Sequence, residues 1–448
     1  MATPWVLPHP PIATNRRRCI VQTLGRVVLC GVAVLLGTVA VGSAYDMEPA
    51  QVTVPLVIGH RGASGLLPEH TLESYALAIA LGADFIETDL VATKDGALIA
   101  RHEPNMINTT DVKDRPEFAD RRRTAVVDGA ADEGFFASDF TLAEIKTLRA
   151  VQAFGDRSQE FNGRFEVPTF EEIIALAKRK SNEGGRTIGI YPETKHPTYH
   201  QQLGLPLEDR LLHILQQAGW NHRQAPVFIQ SFETANLKYL RGRTPIRLIQ
   251  LVDANDVTLD GSLDFTAPYD RPYDWTVAGR KDLFSYLVSP KGLAEVREYA
   301  DGIGPWKRYL VSTQGTDTNH DGTADDVNGD GVVNEADRTL LAPSTVIGDA
   351  HGLGLLVHTW TFRNEPRYLA KDYTGNPVNE YLQFFALGVD GVFSDFPGTA
   401  HTARLLFLLS KHPELATCLV NAHARIGRGR DRMTCNWIGD DHPSYSLR

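Results

Sequence analysis

Short apolar runs alternate with segments of helical period along most of the chain, from Val54 to Leu409. A short apolar run bounded by turn residues is typical of a buried strand, and apolar residues three and four apart predict a helix. The runs that we interpret as strands lie near residues 56, 84, 97, 187, 226, 246, 354 and 391, with a weaker ninth run near 308. Strands that alternate with helices indicate a parallel α/β sheet. Eight such units favour a closed (β/α)8 barrel, the TIM barrel, over an open doubly wound sheet.

Three polar or irregular stretches interrupt this alternation, at residues 103–139, 253–287 and 314–338. None has a clear hydrophobic period, so we expect long loop insertions rather than further elements of the barrel. The predicted barrel domain therefore covers residues 54–412 and includes the 314–338 insertion. A C-terminal tail follows over residues 413–448.

The N-terminus has a separate pattern, in which three arginines (Arg16–Arg18) precede an apolar stretch (Val27–Ala40) and the small residues Gly42–Ala44. This order predicts a cleaved signal peptide over residues 1–44 and a secreted or periplasmic protein, with no stable membrane insertion after cleavage. The alternative is an uncleaved membrane anchor, because the apolar stretch approaches spanning length when it is counted from Ile20.

Composition and charge narrow the class of protein. Of the 448 residues, 42% are hydrophobic, which is enough for a large core, and the formal net charge is −10 with a pI near 5.8. An acidic protein of this kind is not expected to bind nucleic acid. Signal cleavage would remove Cys19 and Cys30. It would leave Cys418 and Cys435 either as a disulfide or as two free thiols.

Three carboxylates lie at predicted strand ends: Glu87 and Asp89, two residues apart, and Glu193. Side chains two apart in a strand share a face, and a closed barrel brings its strand ends together. Oxygen ligands of this kind suit Ca²⁺ or Mg²⁺, so we interpret the three acids as ligands of one divalent cation. The alternative is that they are independent surface acids.

Two histidines and two cationic residues accompany these acids. His60 and His102 each follow a predicted strand; as a pair they favour proton transfer in both directions, although a lone histidine is more often structural. Arg61 and Lys195 offer donors for phosphate oxygens. A metal, two cations and two acid/base groups together indicate cleavage of a phosphoester.

Several motifs carry a more specific resemblance. They are His60–Gly65, Pro68–Thr71, Glu87–Asp89, His102, Pro192–Lys195 and Phe393–Pro397. In this order they resemble the glycerophosphodiester phosphodiesterase family, especially its periplasmic members. The resemblance implies a (β/α)8 barrel that cleaves a small-molecule glycerophosphodiester to glycerol 3-phosphate and an alcohol. It also implies that the neighbouring glycerol hydroxyl attacks phosphorus, which gives a cyclic phosphate that water then opens.

The resemblance assigns His60 and His102 to acid/base catalysis, Glu87, Asp89 and Glu193 to the metal, and Arg61 and Lys195 to the phosphate. Glu69 matches a motif acid that supports the loop or the outer shell of the metal. The family usually has aspartate after its second histidine, whereas Glu103 stands here, so the support of His102 departs from the family pattern while a carboxylate is retained. Gln230 and Trp360 are candidate substrate contacts, with barrel packing as the alternative.

The 314–338 insertion contains a second metal feature. Its polar residues match the ligand spacing of a calcium loop. The side-chain oxygens would come from Asp326, Asn328, Asp330, Asn334 and Asp337, and a backbone oxygen from Val332. The last acid is Asp instead of Glu, which resembles the dockerin-type loop, and the pattern begins again upstream at Asp317. We expect one structural Ca²⁺ in the 317–337 loop, with room for a second. The alternative is a disordered acidic loop.

Three functions are compatible with these features. The leading hypothesis is a secreted, divalent-metal-dependent glycerophosphodiesterase. A second is a phospholipase-like diesterase on intact lipids, similar to phosphoinositide-specific phospholipases C or sphingomyelinase D. A third is a calcium-dependent binding protein on a non-catalytic barrel. The presence of both histidines and all three acids favours an enzyme.

Overall fold

The computed structural model describes residues 54–413, which fold as a closed barrel of eight parallel strands. The strands are β1 (Leu56–Gly59), β2 (Phe85–Ala92), β3 (Gly189–Thr194), β4 (Phe228–Ser231), β5 (Arg247–Val252), β6 (Gly302–Pro305), β7 (Leu356–Phe362) and β8 (Gly391–Ser394). The ring closes at β1, which pairs in parallel with β8 through Leu56 and Gly391 and with β2 through Ile58 and Phe85. The predicted (β/α)8 barrel is therefore confirmed over the open sheet.

One main helix follows each strand of the barrel. The helices are α1 (Leu72–Ala80), α2 (Phe170–Gly184), α3 (Glu208–Gln217), α4 (Thr234–Arg241), α5 (Pro290–Arg297), α6 (Val346–Gly352), α7 (Pro377–Leu387) and α8 (Pro397–Lys411). A capping box forms the start of α2. The Thr169 hydroxyl accepts from the Glu172 backbone N–H, and the Glu172 carboxylate accepts from the Thr169 N–H.

The inner face of the barrel is apolar near the start of the strands and polar near their ends. Ile58, Phe85, Tyr191, Phe228, Ile249 and Phe393 form one buried cluster. Because side chains two apart share a face, Phe85 is followed on the same side by Glu87 and Asp89, and Tyr191 by Glu193. The strands thus close the bottom of the barrel with apolar side chains. They direct polar side chains to the C-terminal mouth, where barrels of this type carry their sites.

The structure corrects the sequence prediction at two strands. The run near residue 97 forms only Leu98–Ala100, which pairs antiparallel with β2 and is not one of the eight barrel strands. The missing barrel strand is β6, and the run near residue 308 is a 3-10 turn, Lys307–Tyr309. The β6 sequence is Gly-Ile-Gly-Pro, so it contains no apolar run of the kind that predicts a strand.

The connections between barrel units carry small elements of their own. Residues 103–168, which we call the β2–α2 segment, contain a hairpin (Arg123–Val127 with Ala130–Gly134) and pack around a separate apolar cluster that includes Met106 and Phe140. Outside the barrel, the other short strands are Asp256–Val257, Leu263–Asp264, Thr313–Gln314 and Thr339–Leu340. The other short helices and 3-10 turns are Leu142–Ile145, Pro197–Gln202, Tyr273–Val277, Asp111–Asp114, Pro116–Arg121, Ala137–Asp139, Phe284–Val288, Glu335–Asp337, Pro366–Tyr368 and Lys371–Tyr373.

Two predictions fall outside the described residues. These are the signal peptide over residues 1–44 and the pairing of Cys418 with Cys435 in the C-terminal tail, and both stay predictions. Within residues 54–413, no helix is both long enough and apolar enough to cross a membrane.

Candidate active site

Three carboxylates meet at the C-terminal mouth of the barrel. Glu87 and Asp89 share one face of β2, and the register of β2 with β3 places Glu193 opposite Asp89. All three residues are buried, with exposures of 1%, 1% and 5%. Together with His70, Glu87 and Asp89 bring their ligand atoms within 4.8 Å of one another. The structure therefore gathers the acids that the sequence suggests as metal ligands and adds a histidine to them.

The charges of these acids fit a cation. Burial, together with repulsion from neighbouring carboxylates, raises the pKa of both Glu87 and Glu193. Burial also opposes ionisation of Asp89, but the hydrogen bond from His70 and the charge of Lys195 hold the pKa of Asp89 well below its usual range. Asp89 Oδ1 is buried and has no hydrogen-bond partner among the described residues. A hard divalent cation would relieve the repulsion and take up this free oxygen, so the residues present fit such an ion.

His70 is a site residue that the sequence analysis does not identify. It is fully buried, its Nε2 lies 2.9 Å from Asp89 Oδ2, and its Nδ1 lies 2.7 Å from the Tyr75 hydroxyl on α1. Burial lowers the pKa of the ring, so the imidazole is neutral at pH 7 and orients Asp89. Its one signal in the sequence is its place in the Pro68–Thr71 motif, directly before the N-cap of α1.

Arg61 and Lys195 bring positive charge to the acids. The backbone N–H of Arg61 donates to Glu87 Oε2 at 2.6 Å, and its Nη1 donates to Glu69 Oε2 at 2.8 Å. Burial opposes ionisation of Glu69, but the charge of Arg61 and of other cations nearby lowers its pKa to about 2. Glu69 thus supports Arg61 and is not grouped with the metal ligands. Lys195 Nζ lies 3.2 Å from Glu193 Oε1.

His60 is backed by a carboxylate that follows β8. Its Nδ1 lies 2.5 Å from Asp395 Oδ1, and Asp395 Oδ2 accepts from Arg157 and Arg363. Burial opposes ionisation of Asp395, but the charges of Arg363 and Arg157 and the hydrogen bond from His60 hold its pKa well below the usual range. Burial and the charge of Arg61 lower the pKa of His60. His60 is therefore neutral at pH 7 and donates from Nδ1, while Nε2 has no hydrogen-bond partner within residues 54–413.

His102 has a corresponding carboxylate, Glu103. Its Nδ1 lies 2.9 Å from Glu103 Oε1, while Glu103 Oε2 accepts from His196 Nε2 at 2.9 Å. His196 Nδ1 donates to Asp128 Oδ2 at 2.6 Å; burial disfavours its charge, but the two acids raise its pKa to about 10. Burial and the charge of Arg61 lower the pKa of His102 to about 4. The glutamate that departs from the family pattern thus supports His102 within a hydrogen-bonded chain.

Gln230 and Trp360, the predicted substrate contacts, lie at the same mouth. Gln230 Nε2 lies 3.5 Å from both Glu87 Oε1 and Glu193 Oε2, so this side chain sits beside the carboxylates. Trp360 Nε1 donates to the Gly304 carbonyl oxygen at 2.7 Å, which fixes the indole on β7. The geometry thus places Gln230 among the acids and leaves Trp360 as a wall of the mouth.

Comparison with known proteins gives this arrangement a family. Residues 60–399 match the model of the glycerophosphoryl diester phosphodiesterase family. The chain belongs to this family. Glycerophosphodiester phosphodiesterase GDPD6 of Arabidopsis thaliana is 36% identical to it over 80% of this chain and 88% of its own length. The glycerophosphodiester phosphodiesterase of Haemophilus influenzae is 30% identical over 77% of this chain and 88% of its own length.

A solved structure from Silicibacter pomeroyi that is assigned to the same enzyme type shares the fold. It has a TM-score of 0.50 and 20% identity, and covers 79% of this chain and 94% of its own. The predicted family and enzyme class are thus confirmed, and the protein is a glycerophosphodiester phosphodiesterase. The family depends on a divalent metal, and the buried group of His70, Glu87 and Asp89 is where such an ion fits this phosphodiesterase.

Proposed function

We propose that this phosphodiesterase hydrolyses glycerophosphodiesters to glycerol 3-phosphate and an alcohol, with His60 and His102 as its acid/base pair. The observation that carries the proposal is the matched environment of the two imidazoles. Each directs Nδ1 to a carboxylate, Asp395 at 2.5 Å and Glu103 at 2.9 Å, and keeps Nε2 for the substrate. Such pairing fixes the ring and its tautomer, as proton transfer to a positioned substrate requires.

We assign His60 as the first base and His102 as the first acid. The neutral Nε2 of His60 accepts the proton of the glycerol hydroxyl beside the phosphate, and that oxygen bonds to phosphorus. The bond from phosphorus to the leaving alcohol oxygen breaks, and His102 Nε2 gives this oxygen its proton. In the second step the roles reverse: His102 accepts a proton from water, water oxygen bonds to phosphorus, and His60 returns its proton to the glycerol oxygen as the cyclic phosphate opens.

Cationic groups at the mouth face the charge of the phosphoryl oxygens. Arg61 Nε is buried and has no hydrogen-bond partner among the described residues, so it is a donor for phosphate, as is the ammonium of Lys195. The acids Glu87, Asp89 and Glu193 would hold the cation, Ca²⁺ or Mg²⁺. When bound, this ion supplies further positive charge at the phosphoryl oxygens. Gln230 would keep the acids in place, and Trp360 would contact the glycerol or the alcohol.

Replacement of each histidine tests the assignment. His60→Ala and His102→Ala should each lower the release of glycerol 3-phosphate from glycerophosphocholine by roughly 10²–10⁴-fold, because one proton transfer loses its donor or acceptor. The assay is run after chelation, with Mg²⁺ or Ca²⁺ added back. His213→Ala, at an exposed position on α3, is the matched control. Wild-type turnover by either active-site variant would refute the mechanism, and turnover only on micellar lipid would favour the phospholipase-like alternative.

We further propose that the mature protein is secreted or periplasmic. The support is the N-terminal order of arginines, apolar stretch and small residues, which predicts cleavage after Ala44. N-terminal sequencing of the exported protein should find Tyr45 first. A chain that keeps residues 1–44 in the membrane fraction would favour the uncleaved anchor.

We also propose a structural Ca²⁺ in the 314–338 insertion. The Asp326 carboxylate accepts from the backbone N–H groups of Gly329, Asp330 and Gly331. The buried Asp337 carboxylate accepts from the backbone N–H groups of Val327, Asn328 and Asn334. These contacts wrap the backbone around the acids, so the Asp330 side chain and the Val332 carbonyl lie in the same turn. The fit to the calcium-loop spacing supports one bound ion.

The upstream half of the insertion repeats part of this pattern. Asp317 accepts from the N–H groups of Asp321 and Gly322, as Asp326 does four and five residues further along its own loop. Asp325 accepts from the Thr318 N–H, in place of the closing acid.

Ca²⁺ should raise the melting temperature of the wild-type protein, and Asp326→Ala should remove most of that increase. Asp120→Ala, an exposed acid elsewhere, should not; an equal increase in Asp326→Ala would refute the site.

A further inference from the structure

Arg157, in the β2–α2 segment, reaches the carboxylate behind His60. Its side chain is 3% exposed, and its Nη2 donates to Asp395 Oδ2 at 2.6 Å. Asp395 Oδ1 is the oxygen that binds His60 Nδ1, so the imidazole and the guanidinium hold opposite oxygens of one carboxylate. Arg157 and Asp395 are 238 positions apart in the chain. Arg157 thus connects the β2–α2 segment, through Asp395, to the acid/base group that follows β1.

The remaining donors of Arg157 fix its position. Its Nε donates to Glu365 Oε1 at 2.7 Å, and its Nη1 donates to the Ser64 carbonyl oxygen at 3.2 Å, in the loop that follows His60. The guanidinium carbon lies 4.2 Å from the ring centroid of Phe154. A planar fork with donors on three sides is specific to arginine, because lysine offers only a point charge. The Arg157 side chain is therefore held in one geometry by Ser64 in the loop after β1, by Glu365 in the connection between β7 and α7, and by Phe154 in its own segment.

The charged groups around His60 are few. Asp395 faces it from the end of β8, Arg61 lies next to it in sequence, and Arg363 approaches from the connection after β7, with Nε 3.0 Å from Asp395 Oδ2. Arg157 and its partner Glu365 stand behind Asp395. An ionised carboxylate alone would favour the protonated imidazole, whereas a carboxylate already bound by guanidinium groups favours it less.

We propose that Arg157 is a positioning residue that holds Asp395 in place and compensates its charge, so that His60 is oriented by a carboxylate yet remains an uncharged base at neutral pH. This inference rests on the proposed role of His60 as a base. It assigns to the β2–α2 segment a part in catalysis. Arg157 does not touch the substrate in this account and acts only through Asp395.

The pH profile of Arg157→Leu tests the proposal. With less compensation, Asp395 holds a proton on His60 up to a higher pH, so the acid limb of kcat/KM should move up by about one pH unit. At pH 6.5, kcat should fall about five- to tenfold while KM stays within about twofold, because no substrate contact is lost. Arg157→Lys should recover part of the shift. Arg164→Leu, an exposed arginine of the same segment, should keep the wild-type profile.

A double-mutant comparison separates this role from a purely structural one. In an Asp395→Asn background, Arg157→Leu should cause no further shift of the acid limb, because the charge that Arg157 compensates is gone. An unshifted limb in a folded Arg157→Leu variant would overturn the proposal, even if kcat fell. A full shift that persists with Asp395→Asn would overturn it as well. These outcomes are distinct from a failure of the proposed function, which would appear as wild-type turnover by His60→Ala.

Discussion

Glu103→Gln is a direct test of how His102 works as an acid. The substitution keeps the length of the side chain and an oxygen that can accept from His102 Nδ1. It removes the negative charge and replaces the oxygen that accepts from His196 Nε2 with an amide NH2 group. Glu103 raises the pKa of His102, whereas burial and the charge of Arg61 lower it to about 4 in the free protein. In the complex the negative charge of the substrate phosphate would offset the charge of Arg61 and raise the pKa of His102, as its proposed role as an acid requires. Loss of the Glu103 charge therefore lowers the pKa and depletes the acid form.

The size of the effect follows from the contact. Nδ1 and Oε1 are 2.9 Å apart, and the Glu103 side chain is 43% exposed. Two unit charges about 4 Å apart interact by about 1 kcal/mol in water and about 4 kcal/mol at an effective dielectric constant of about 20. Because Glu103 is this exposed and shares its charge with His196, the lower part of the range applies. We expect about 1–2 kcal/mol, which is about one pKa unit.

The assay is kcat against pH, measured as release of glycerol 3-phosphate, because kcat reports groups in the enzyme–substrate complex. The alkaline limb should move about one unit to lower pH, so that kcat at pH 8 falls about tenfold with little change in KM. Glu117→Gln, an exposed acid of the same segment, is the matched control. An alkaline limb that stays in place, or that moves to higher pH, would refute the assignment of His102 as the acid.

Three further changes test other parts of the site. Glu193→Gln should weaken the apparent affinity for the activating cation by roughly tenfold or more, seen as a higher cation concentration for half activity after chelation; an unchanged midpoint would contradict its role as a ligand. Arg101→Leu removes a fully buried guanidinium that donates to both carbonyl oxygens of the Glu69–His70 turn, and should cost roughly 2–4 kcal/mol in the free energy of unfolding by urea; a loss below about 1 kcal/mol would show that the turn holds itself. Trp360→Ala should raise KM several-fold without moving either pH limb, and an unchanged KM would mean that the indole only packs.

The barrel could be predicted from the sequence because most of its strands are apolar runs, yet one strand gave no such run. In β6 the two glycines are required by their neighbours. A Cβ on Gly302 would lie 2.7 Å from the Leu356 carbonyl oxygen, and one on Gly304 would lie 2.6 Å from Leu251 Cδ2. Residues of the adjacent strands fill the space beside the two glycines. The formation of β6 therefore depends on its neighbours and cannot be recognised from its own sequence. The short strand Leu98–Ala100 was counted as a barrel strand because its residues form an apolar run. Such a run indicates a strand but not its direction, and this strand pairs antiparallel with β2.

The site could be predicted where its residues follow the period of a strand. Glu87 and Asp89 are two apart in β2, and this spacing alone puts them on one face. His70 follows no strand; the turn before α1 carries it to Asp89, 19 positions away. Asp128 and His196 are 68 positions apart, and the hairpin that brings Asp128 to the mouth has no signal that points to a site. Contacts of this kind depend on tertiary packing, which local periodicity does not encode.

The two imidazoles differ in the residues that contact their carboxylates, and this difference bears on their proposed roles as base and acid. Asp395 is buried and is bound by Arg157 and Arg363, whose charges persist throughout the working pH range. It can orient His60 while stabilising a proton on it less than an uncompensated carboxylate would, which suits the proposed base. Glu103 is half-exposed, and among the described residues its ion-pair partner besides His102 is the single imidazole of His196. The negative charge of Glu103 raises the pKa of His102 against the burial and the charge of Arg61 that lower it, which is the contribution that the proposed acid requires.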